Sequence, residues 1–414
     1  MNQADTAITA NVAPARRLGS FLLSELKPKG KLLTPFNLIS IPVIILGLII
    51  IFVRFWKGLG SVTNLSQTVP WGLWIGFDVV TGVAFAGGAY VLTFMVYIMN
   101  IKKYQPIVRV TVLNGFLAYL FYAGALLLDL GRPWNVINPI IGNSFGTSSV
   151  LFLVAWHFML YMFATLIEFS PAIAEWLGME RVRRILKSLT VGAVIFGITL
   201  STLHQSGLGA LYLMAKDKIH PLWYTEFIPV LFFISSIFAG LSMVIFEGSI
   251  TYRVFSYKVS EDDHKKHDDL LFGLAKVCAG AMFTYLFLKI LILVHEHHWA
   301  LLSTSFGHWY LLEVVGFVVL PMILFIRSIK QQNLALVKLA SVMTLIGIIL
   351  NRLNVTVIGF HWDAAVRYVP TWMEIVVTLT IIFIEIWVFR WIINRMPVLN
   401  KVVPGNNIIK SKND

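Results

Sequence analysis

The sequence predicts an all-α polytopic membrane protein with about ten transmembrane helices and both termini in the cytoplasm. Hydrophobic residues make up 57% of the 414 residues and charged residues only 13%, and the mean hydropathy is +0.78. A soluble domain carries about 25% charged residues, so this composition excludes a water-soluble fold. Ten apolar stretches are each long enough to cross a bilayer, which takes roughly 20 residues of helix.

The ten stretches follow one another without a linker or low-complexity segment. We predict them at 35–55, 71–99, 112–131, 149–169, 187–204, 227–251, 270–294, 308–327, 336–355 and 371–394. They form one membrane domain over 35–400, flanked by tails at 1–34 and 401–414. The first tail is basic and has no apolar core or small-residue cleavage site, which predicts a cytoplasmic tail and not a signal peptide.

The lysines and arginines support both the number of helices and their orientation. With both termini inside, the inner segments hold 25 of the 33 lysines and arginines and the outer segments hold 8. Every inner segment exceeds its outer neighbours, which is the positive-inside pattern. This distribution explains the net charge of +12 without a nucleic-acid partner.

Ionisable residues interrupt the second to the fifth stretch. They are Asp78 in the second, Asp129 and Arg132 closing the third, His157 and Glu168 in the fourth, and His204 ending the fifth. A charge inside hydrocarbon costs several kcal/mol, so buried groups of this kind are typical of proton relays, ion paths and ligand sites.

The predicted orientation places most of these groups in the outer half of the membrane. A helix rises 1.5 Å per residue, so Asp78 lies about 10 Å deep and His157 about 12 Å deep from the outer side. Asp129 and His204 lie at outer helix ends, whereas Glu168 lies at an inner end. Helices joined by short loops usually pack as a bundle, so the outer groups can line one cavity.

Each of these residues also has a structural interpretation. Asp78 can bond a neighbouring helix, and Asp129 can form an ion pair with Arg132 at a helix end. The histidines can be core or turn residues bonded to carbonyls. Trp71 and Trp74 are typical of an interfacial aromatic belt, although rings at the mouth of a bundle can also hold a planar ligand.

The second half of the chain offers fewer candidates. Glu247 lies at the inner end of the sixth stretch, and Glu385 lies deep in the last one without an evident role. We expect Lys289 and Glu313, on adjacent stretches near the outer side, to neutralise each other. The run His295–His298 lies on one short outer loop, where adjacent residues seldom close a metal site.

A cavity of this kind suits a hydrophobic quinone that enters from the lipid. Its reduction takes two electrons and two protons, and histidines and carboxylates can supply the protons. The single cysteine, Cys278, cannot hold an iron–sulfur cluster, so such a cluster belongs to a partner. A haem b needs two facing histidines, for which His157 and His204 are the only plausible intramembrane pair, and we expect no intrinsic haem.

Several segments resemble a known family. They are the run from Gly60 to Val110, LDLGRPWN at 128–135, SVLF at 149–152, TLIEFSP at 165–171, TLHQSGLGALYLMAKDKIHPLW at 202–223, FEGS at 246–249 and VPTWMEI at 369–375. These segments resemble the NrfD/PsrC family of quinone-interacting membrane subunits, and most closely its HybB-like branch, the membrane subunit of uptake nickel–iron hydrogenase. QrcD-like subunits of menaquinone reductase are also similar.

The resemblance implies two helical bundles, which we expect at 71–204 and 227–394, and a menaquinone site in the first bundle toward the periplasm. It also implies a periplasmic iron–sulfur subunit as partner. One departure concerns the proton route. HybB-like chains are expected to carry a carboxylate after SVLF, where this chain has Leu153. His157, one turn further along the same face, can replace it.

These observations predict the quinone-reactive membrane subunit of a respiratory oxidoreductase, inactive alone, in the bacterial inner membrane. Its partners would be the large and small subunits of a nickel–iron hydrogenase, and proton translocation can accompany the reaction. We assign proton chemistry to Asp78, His157, Glu168 and His204, and quinone binding to Trp71, Trp74, Asp129, Arg132 and Gln205. The alternatives are a cation-coupled transporter that uses Asp78 and Glu385, and a passive anchor for a redox complex.

Overall fold

The computed structural model describes residues 19–28, 33–67, 69–138, 149–258, 261–365 and 367–399. Ten helices in these ranges are long and apolar enough to cross a membrane, which confirms the predicted all-α membrane class and the number of helices, whereas the orientation of the termini stays a prediction. Apart from an isolated bridge between Ile219 and Phe360, no residue in these ranges pairs in a strand. Most of the first predicted tail, and all of the second, lie outside the described residues.

All ten predicted stretches correspond to helices in the same order. The helices are α1 Pro35–Lys57, α2 Trp74–Ile98, α3 Gln105–Asp129, α4 Val150–Trp176, α5 Glu180–Leu211, α6 Ile228–Val254, α7 Glu261–His295, α8 Ser305–Gln331, α9 Leu334–Ile358 and α10 Trp372–Arg395. Several extend beyond their predicted bounds, because hydropathy marks only the apolar part of a helix. The polar first turn of α5, for example, continues the same backbone hydrogen bonding outside the apolar stretch.

Two π-helical segments lie within α2, at Trp74–Thr81 and Phe94–Ile98. In the first, the Thr81 hydroxyl donates to the carbonyl of Gly76 at 2.8 Å. Such wide turns are rare and are frequent at functional sites, because they change which side chains share a face of the helix. The first segment contains Asp78, so this turn decides the direction of a predicted site residue.

The helices pack as two sequential rings joined by α2 and α6. In the first ring α2 contacts α3, α3 contacts α4, α4 contacts α5, and α5 contacts α2; in the second, α6 to α9 make the corresponding contacts. The α2–α6 contact is close because a Cβ on Gly240 would lie 2.0 Å from the backbone nitrogen of Gly88. Helix α10 packs on α1 and α3. The functional division into two bundles stays a prediction.

The helices run between two ends, which we call the base and the top. At the base, the guanidinium of Arg395 at the end of α10 donates to the backbone carbonyl of Glu25 at 2.6 Å. The top carries the connections 58–71, 130–138, 219–227 and 359–371. There the backbone N–H of His220 donates to the carbonyl of Gly359 at 2.9 Å, which ties the two rings together.

Candidate functional site

A cavity of about 270 Å³ lies near the top, between the beginning of α2 and helices α4 and α5. Its wall is almost entirely apolar. The wall residues are Trp71, Ile75, Val79, Val80, Leu126, Val136, Leu151, Val154, Ala155, Trp156, Phe158, Met159, Met162, His204, Leu208, Leu211 and Tyr212. We call it the top cavity. It combines an apolar wall with few polar groups, which is the usual character of a site for a small hydrophobic ligand.

His204 is the one titratable imidazole in the described wall of the top cavity. It is 1% exposed, and its Nδ1 lies 3.1 Å from the carbonyl oxygen of Val154 on α4. Because a carbonyl only accepts, Nδ1 carries the proton, and in the neutral ring Nε2 has a free lone pair. Within the described residues Nε2 is buried without a partner. It is therefore available to exchange a proton with a bound molecule.

A file of buried hydroxyl groups leads from His204 toward the base. The ring of Tyr119 lies 5.7 Å from the imidazole, and the ring of Tyr161 lies 4.5 Å from that of Tyr119. Ser201 is the polar neighbour of both tyrosines. The Ser201 hydroxyl interacts with both tyrosines only weakly, since in the described part of the chain none of the three hydroxyl groups lies within ordinary hydrogen-bond distance of a partner. Buried polar atoms are rarely left unpaired, so such a file indicates bound water or a transport function.

Glu168 stands at the other end of this file. It lies seven residues after Tyr161 on α4, which places both on one face of the helix. One of its carboxylate oxygens, Oε1, is buried without a partner among the described residues. The side chain also lines a polar cavity of about 220 Å³ at the base, together with Arg109, Arg183 and Lys187. The base cavity gives the file a polar entrance from that side.

Asp78 lies outside the wall of the top cavity. It is 1% exposed and points toward α10, where its Oδ2 accepts a hydrogen bond from the Thr378 hydroxyl at 3.1 Å. Its Oδ1 is buried and has no described partner. The neighbouring residues Val79 and Val80 do line the top cavity, so α2 separates the cavity from this carboxylate.

Trp74 and Asp129 belong to the same side of α2 as Asp78. The indole N–H of Trp74 donates to the backbone carbonyl of Glu374 at 3.1 Å, which makes this buried ring a contact between α2 and α10. The charged neighbours of Asp129 are Glu374 and Arg54. Arg132 is exposed and belongs to none of the salt bridges in the described ranges. Within the described ranges, the alternative interpretation of an Asp129–Arg132 ion pair is therefore wrong, and Asp129 lies near Arg54 instead.

Arg54 and Glu374 are two residues of this cluster that the sequence did not single out. Arg54 is 3% exposed and donates to the carbonyl of Leu128 at 2.7 Å and to that of Leu130, so it caps the end of α3. Glu374 forms a capping box with Thr371 at the start of α10. Thr371 followed three residues later by Glu374 is the sequence pattern of a capping box. That pattern predicts the start of a helix and does not indicate a site residue.

The two remaining assigned residues flank the top cavity. Gln205 is 1% exposed, and its side-chain amide donates to the carbonyl of Val83 at 2.8 Å, which fixes α5 against α2. His157 is partly buried and close enough to His204 to interact with it electrostatically, with its Nδ1 unpartnered within the described residues. Its neighbours Trp156 and Phe158 are wall residues, whereas His157 is not.

The second ring contains a polar network that is nearly complete. Glu313 accepts from Trp223 at 2.7 Å, from Asn351 at 2.7 Å and from Asn354 at 2.5 Å. The predicted neutralisation by Lys289 is therefore not a direct contact. The Lys289 ammonium instead lies over the ring of Tyr310, 5.1 Å from its centroid.

Comparisons with known proteins identify the relatives of this architecture. Residues 61–362 match the family described as polysulphide reductase, NrfD. The chain belongs to the NrfD family. A protein of Nitratidesulfovibrio vulgaris strain Hildenborough is 42% identical over 370 residues, covering 89% of this chain and 95% of the relative.

Two further relatives carry functional names. The probable Ni/Fe-hydrogenase 2 b-type cytochrome subunit of Escherichia coli K12 is 30% identical, over 89% of this chain and 94% of the relative. The integral membrane subunit of menaquinone reductase of N. vulgaris is 27% identical, over 77% of this chain and 80% of the relative. NrfD-family proteins such as these are membrane subunits of quinone-linked oxidoreductases, and this chain is an integral protein of the bacterial inner membrane.

The name of the E. coli relative implies a haem. A haem held by two histidines needs both imidazoles aimed at one iron from opposite sides. The His204 ring packs against the rings of Tyr119 and Phe158, at 5.7 and 5.4 Å, and its Nδ1 is bonded to Val154. His157 is not in the wall that His204 lines. These two residues do not fit a bis-histidine haem.

Proposed function

We propose that this protein is the quinone-reactive membrane subunit of a respiratory oxidoreductase. It passes electrons between menaquinone and a periplasmic iron–sulfur partner. In this proposal the partner is the iron–sulfur subunit of a nickel–iron hydrogenase. The names of the hydrogenase and menaquinone reductase relatives support this assignment. The lysine and arginine distribution supports an orientation with the top toward the periplasm, where such a partner would dock.

One observation carries the proposal: the top cavity joins an apolar wall to an imidazole whose Nε2 has no partner among the described residues. A quinone head group enters an apolar cavity from the lipid, and its carbonyl oxygens need a proton donor as they are reduced. Protonated His204 can supply one of the two protons, and neutral His204 can accept one from a quinol in the reverse direction. Trp71 packs edge-on to Tyr212 at 5.6 Å and forms part of the wall against which the ring would lie.

The file from Glu168 to His204 is the proposed proton connection. Glu168 receives protons from the base cavity, and the hydroxyl groups of Tyr161, Ser201 and Tyr119 relay them with intervening water. A proton that reaches a quinone at the top from the base crosses much of the membrane potential. That movement is worth about 2.3 kcal/mol per charge at 100 mV. In this arrangement quinone reduction is electrogenic.

The acidic cluster behind α2 has a proposed supporting role. Asp78 lies within the π-helical segment, next to the wall residues Val79 and Val80, so its protonation state acts on the cavity through the field and position of α2. His157 is proposed as the second proton-exchanging group beside His204. Asp129 and Arg132 are proposed to act at the rim on the top side.

The substitution His204→Asn tests the proposal. The asparagine side-chain amide can still donate to the Val154 carbonyl, whereas the reactive Nε2 is lost. We expect the complex to assemble while quinone reduction by the electron donor falls at least about 100-fold, the usual contribution of a positioned acid or base. The measurement is donor-to-menaquinone turnover in inner-membrane vesicles, with copurified partner subunits quantified in parallel.

The matched control is His308→Asn, which changes an exposed histidine on α8 near the same end. It should leave turnover and assembly unchanged. If His204→Asn also turns over at the wild-type rate, the top cavity is not the reaction site. If the purified complex retains its iron–sulfur partner but cannot reduce quinone even as wild type, the chain is a passive anchor.

A further inference from the structure

A second cavity lies on the opposite face of α2 from the top cavity. Its volume is about 300 Å³, and α2, α3, α6 and α10 provide its walls. Phe77 and Gly82 of α2 face this cavity, whereas Val79 and Val80 face the top cavity. Because it contains Glu247 and Glu385, we call it the acid cavity.

The polar groups of the acid cavity are few, and they come from several helices. The Thr111 hydroxyl donates to the carbonyl of Ile107 within its own helix at 2.9 Å. The Asn114 amide donates to one oxygen of Glu247. Within the described residues, neither Glu385 nor Tyr122 makes a hydrogen bond, although both line the cavity. These two side chains are left to bind something else.

Tyr122 is the clearest sign of a ligand. Its side chain is only 7% exposed, and its ring is fixed against α2, since a Cβ on Gly82 would lie 2.3 Å from its Cζ atom. Asp78, Glu247 and Glu385 all act on it electrostatically, which places its hydroxyl among groups from three other helices. Because this hydroxyl belongs to the lining of the cavity and makes no hydrogen bond within the described residues, it can bond a molecule that occupies the cavity.

The wall restricts the class of ligand. Ca²⁺ and Mg²⁺ take six or more oxygen ligands, and the described residues contain no group of three His, Cys, Asp or Glu side chains that could hold a metal ion. A lipid acyl chain would leave the Tyr122 hydroxyl and the Glu385 carboxyl unpaired. A flat apolar ring with oxygen acceptors satisfies both requirements, because Tyr122 and a protonated Glu385 can donate to its oxygens.

The acid cavity is also accessible from the bilayer. Ile250 of α6 lines the cavity and is 46% exposed, at a position within the membrane-spanning part of the helix. The cavity therefore reaches the lipid-facing surface, on the half of α6 nearer the base. A hydrophobic molecule dissolved in the bilayer can enter it without passing through the top cavity.

We infer that the acid cavity is a second binding site for a quinone-class head group, held by Tyr122 and Glu385. The inference goes beyond the proposed function, because it concerns binding at a place distinct from the top cavity and requires no electron transfer there.

The test is the binding stoichiometry of a fluorescent hydroxyquinoline N-oxide, a quinone analogue, on the purified quinone-depleted complex. We expect two equivalents per chain. Met243→Trp fills the acid cavity and should remove one equivalent, whereas Met159→Trp fills the top cavity and should remove the other. Tyr122→Phe keeps the ring and removes the hydroxyl that donates to the ligand, so it should weaken the affinity of the acid-cavity equivalent at least tenfold.

The outcomes separate this inference from the proposed function. One equivalent in the wild type, lost in Met159→Trp and retained in both acid-cavity variants, overturns the second site and leaves the proposed function intact. A phospholipid that copurifies with the wild type, is lost in Met243→Trp and is not displaced by the analogue also overturns it. If Met159→Trp retains both equivalents, the proposed quinone site at the top fails instead. Tyr122→Phe adds no volume and no charge, so it decides the matter if the tryptophan variants do not fold.

Discussion

The two rings of helices differ in how completely their buried polar atoms are hydrogen-bonded. Eleven buried side-chain nitrogen and oxygen atoms in the described residues lack a hydrogen-bond partner, and eight of them belong to helices α2 to α5. Those eight are on Asp78, Tyr119, Asp129, His157, Tyr161, Glu168, Ser201 and His204. In the second ring, Glu313 has both carboxylate oxygens bonded, and Arg352 bonds to Asn351 and Ser235 at 2.9 and 2.7 Å.

The difference indicates which buried charges support the fold and which are available for chemistry. Apart from the Nε of Arg352, which has no partner among the described residues, the polar atoms named in the second ring are bonded, and such a network fixes its side chains in one arrangement and stabilises the ring that contains it. Unpaired atoms cost free energy in the folded state and persist where a ligand, water or a moving proton uses them. The second ring therefore has the character of a scaffold, and the first ring that of a site.

The largest expected effect concerns the scaffold network. Glu313→Ala leaves the donors of Trp223, Asn351 and Asn354 buried without an acceptor, and each such group costs about 1–3 kcal/mol. The total is a large part of the 5–15 kcal/mol that stabilises a typical domain. We expect little folded protein in the membrane, measured as the monodisperse fraction after detergent extraction.

Glu226→Ala is the control, because Glu226 is an exposed glutamate in a top connection of the same half of the chain. It should extract like the wild type. Normal folding and normal thermal stability of Glu313→Ala would show that the bonded network is not what supports the second ring, and the contrast between the rings would lose its meaning.

The next prediction is that two buried tyrosines differ in whether their hydroxyl groups contribute to turnover or to stability. Tyr161 has a hydroxyl without a direct partner in the described residues, whereas the hydroxyl of Tyr90 lies 2.9 Å from that of Ser236. Tyr161→Phe should leave thermal stability unchanged and slow quinone turnover at least tenfold, which corresponds to about 1.4 kcal/mol of barrier. Tyr90→Phe should do the reverse, lowering stability by about 1 kcal/mol with normal turnover.

Both variants are measured for unfolding temperature in detergent and for donor-to-quinone turnover in vesicles. Equal turnover in Tyr161→Phe and the wild type would exclude the hydroxyl file as the proton connection. A drop in turnover that follows the drop in stability in both variants would mean that the file has only a packing role.

The sequence predicts the number of helices and their order because apolar length and the lysine and arginine distribution are properties of each segment alone. It also finds His204 and Trp71, which do line one cavity. It does not find that Asp78 faces α10, because a π-helical turn shifts the faces of α2 and leaves no signal in hydropathy. The partnership of Arg54 with the end of α3 joins residues 74 apart, and a single sequence carries no information about such a contact.

The hydroxyl file shows the same limit from another side. Tyr119, Tyr161 and Ser201 are common residues in apolar helices, and nothing in their spacing marks them. Their significance comes from the packing of α3, α4 and α5, which buries the three hydroxyl groups together between His204 and Glu168. Ionisable residues stand out in an apolar sequence, whereas the neutral groups that connect them do not.

The smallest expected effect concerns the pH dependence of stability and depends on His220, which lies in the top connection before α6. His220 contrasts with His204. The Nδ1 of His220 accepts from the backbone N–H of Leu222 at 3.2 Å. The acceptor nitrogen of His204, Nε2, has no partner within the described residues. Burial lowers the pKa of His220 below its usual 6.5, and the nearby His298 lowers it further. The unfolded chain therefore binds a proton more readily than the folded protein does. Stability is fully present above pH 6.5 and is lost as the pH falls below 6.5 toward the lower folded pKa.

We expect the unfolding temperature of the wild type to decrease between pH 7.5 and pH 5.5, and His220→Phe to reduce that decrease. Phenylalanine keeps a ring next to Phe306, whose centroid lies 4.6 Å from the imidazole, and removes the titrating group. The measurement is the difference in slope between the two proteins, because other groups titrate equally in both. Identical slopes would mean that His220 is not held neutral by its surroundings. His220 would then give no support to the distinction between a histidine that stabilises the fold and one, such as His204, that exchanges protons.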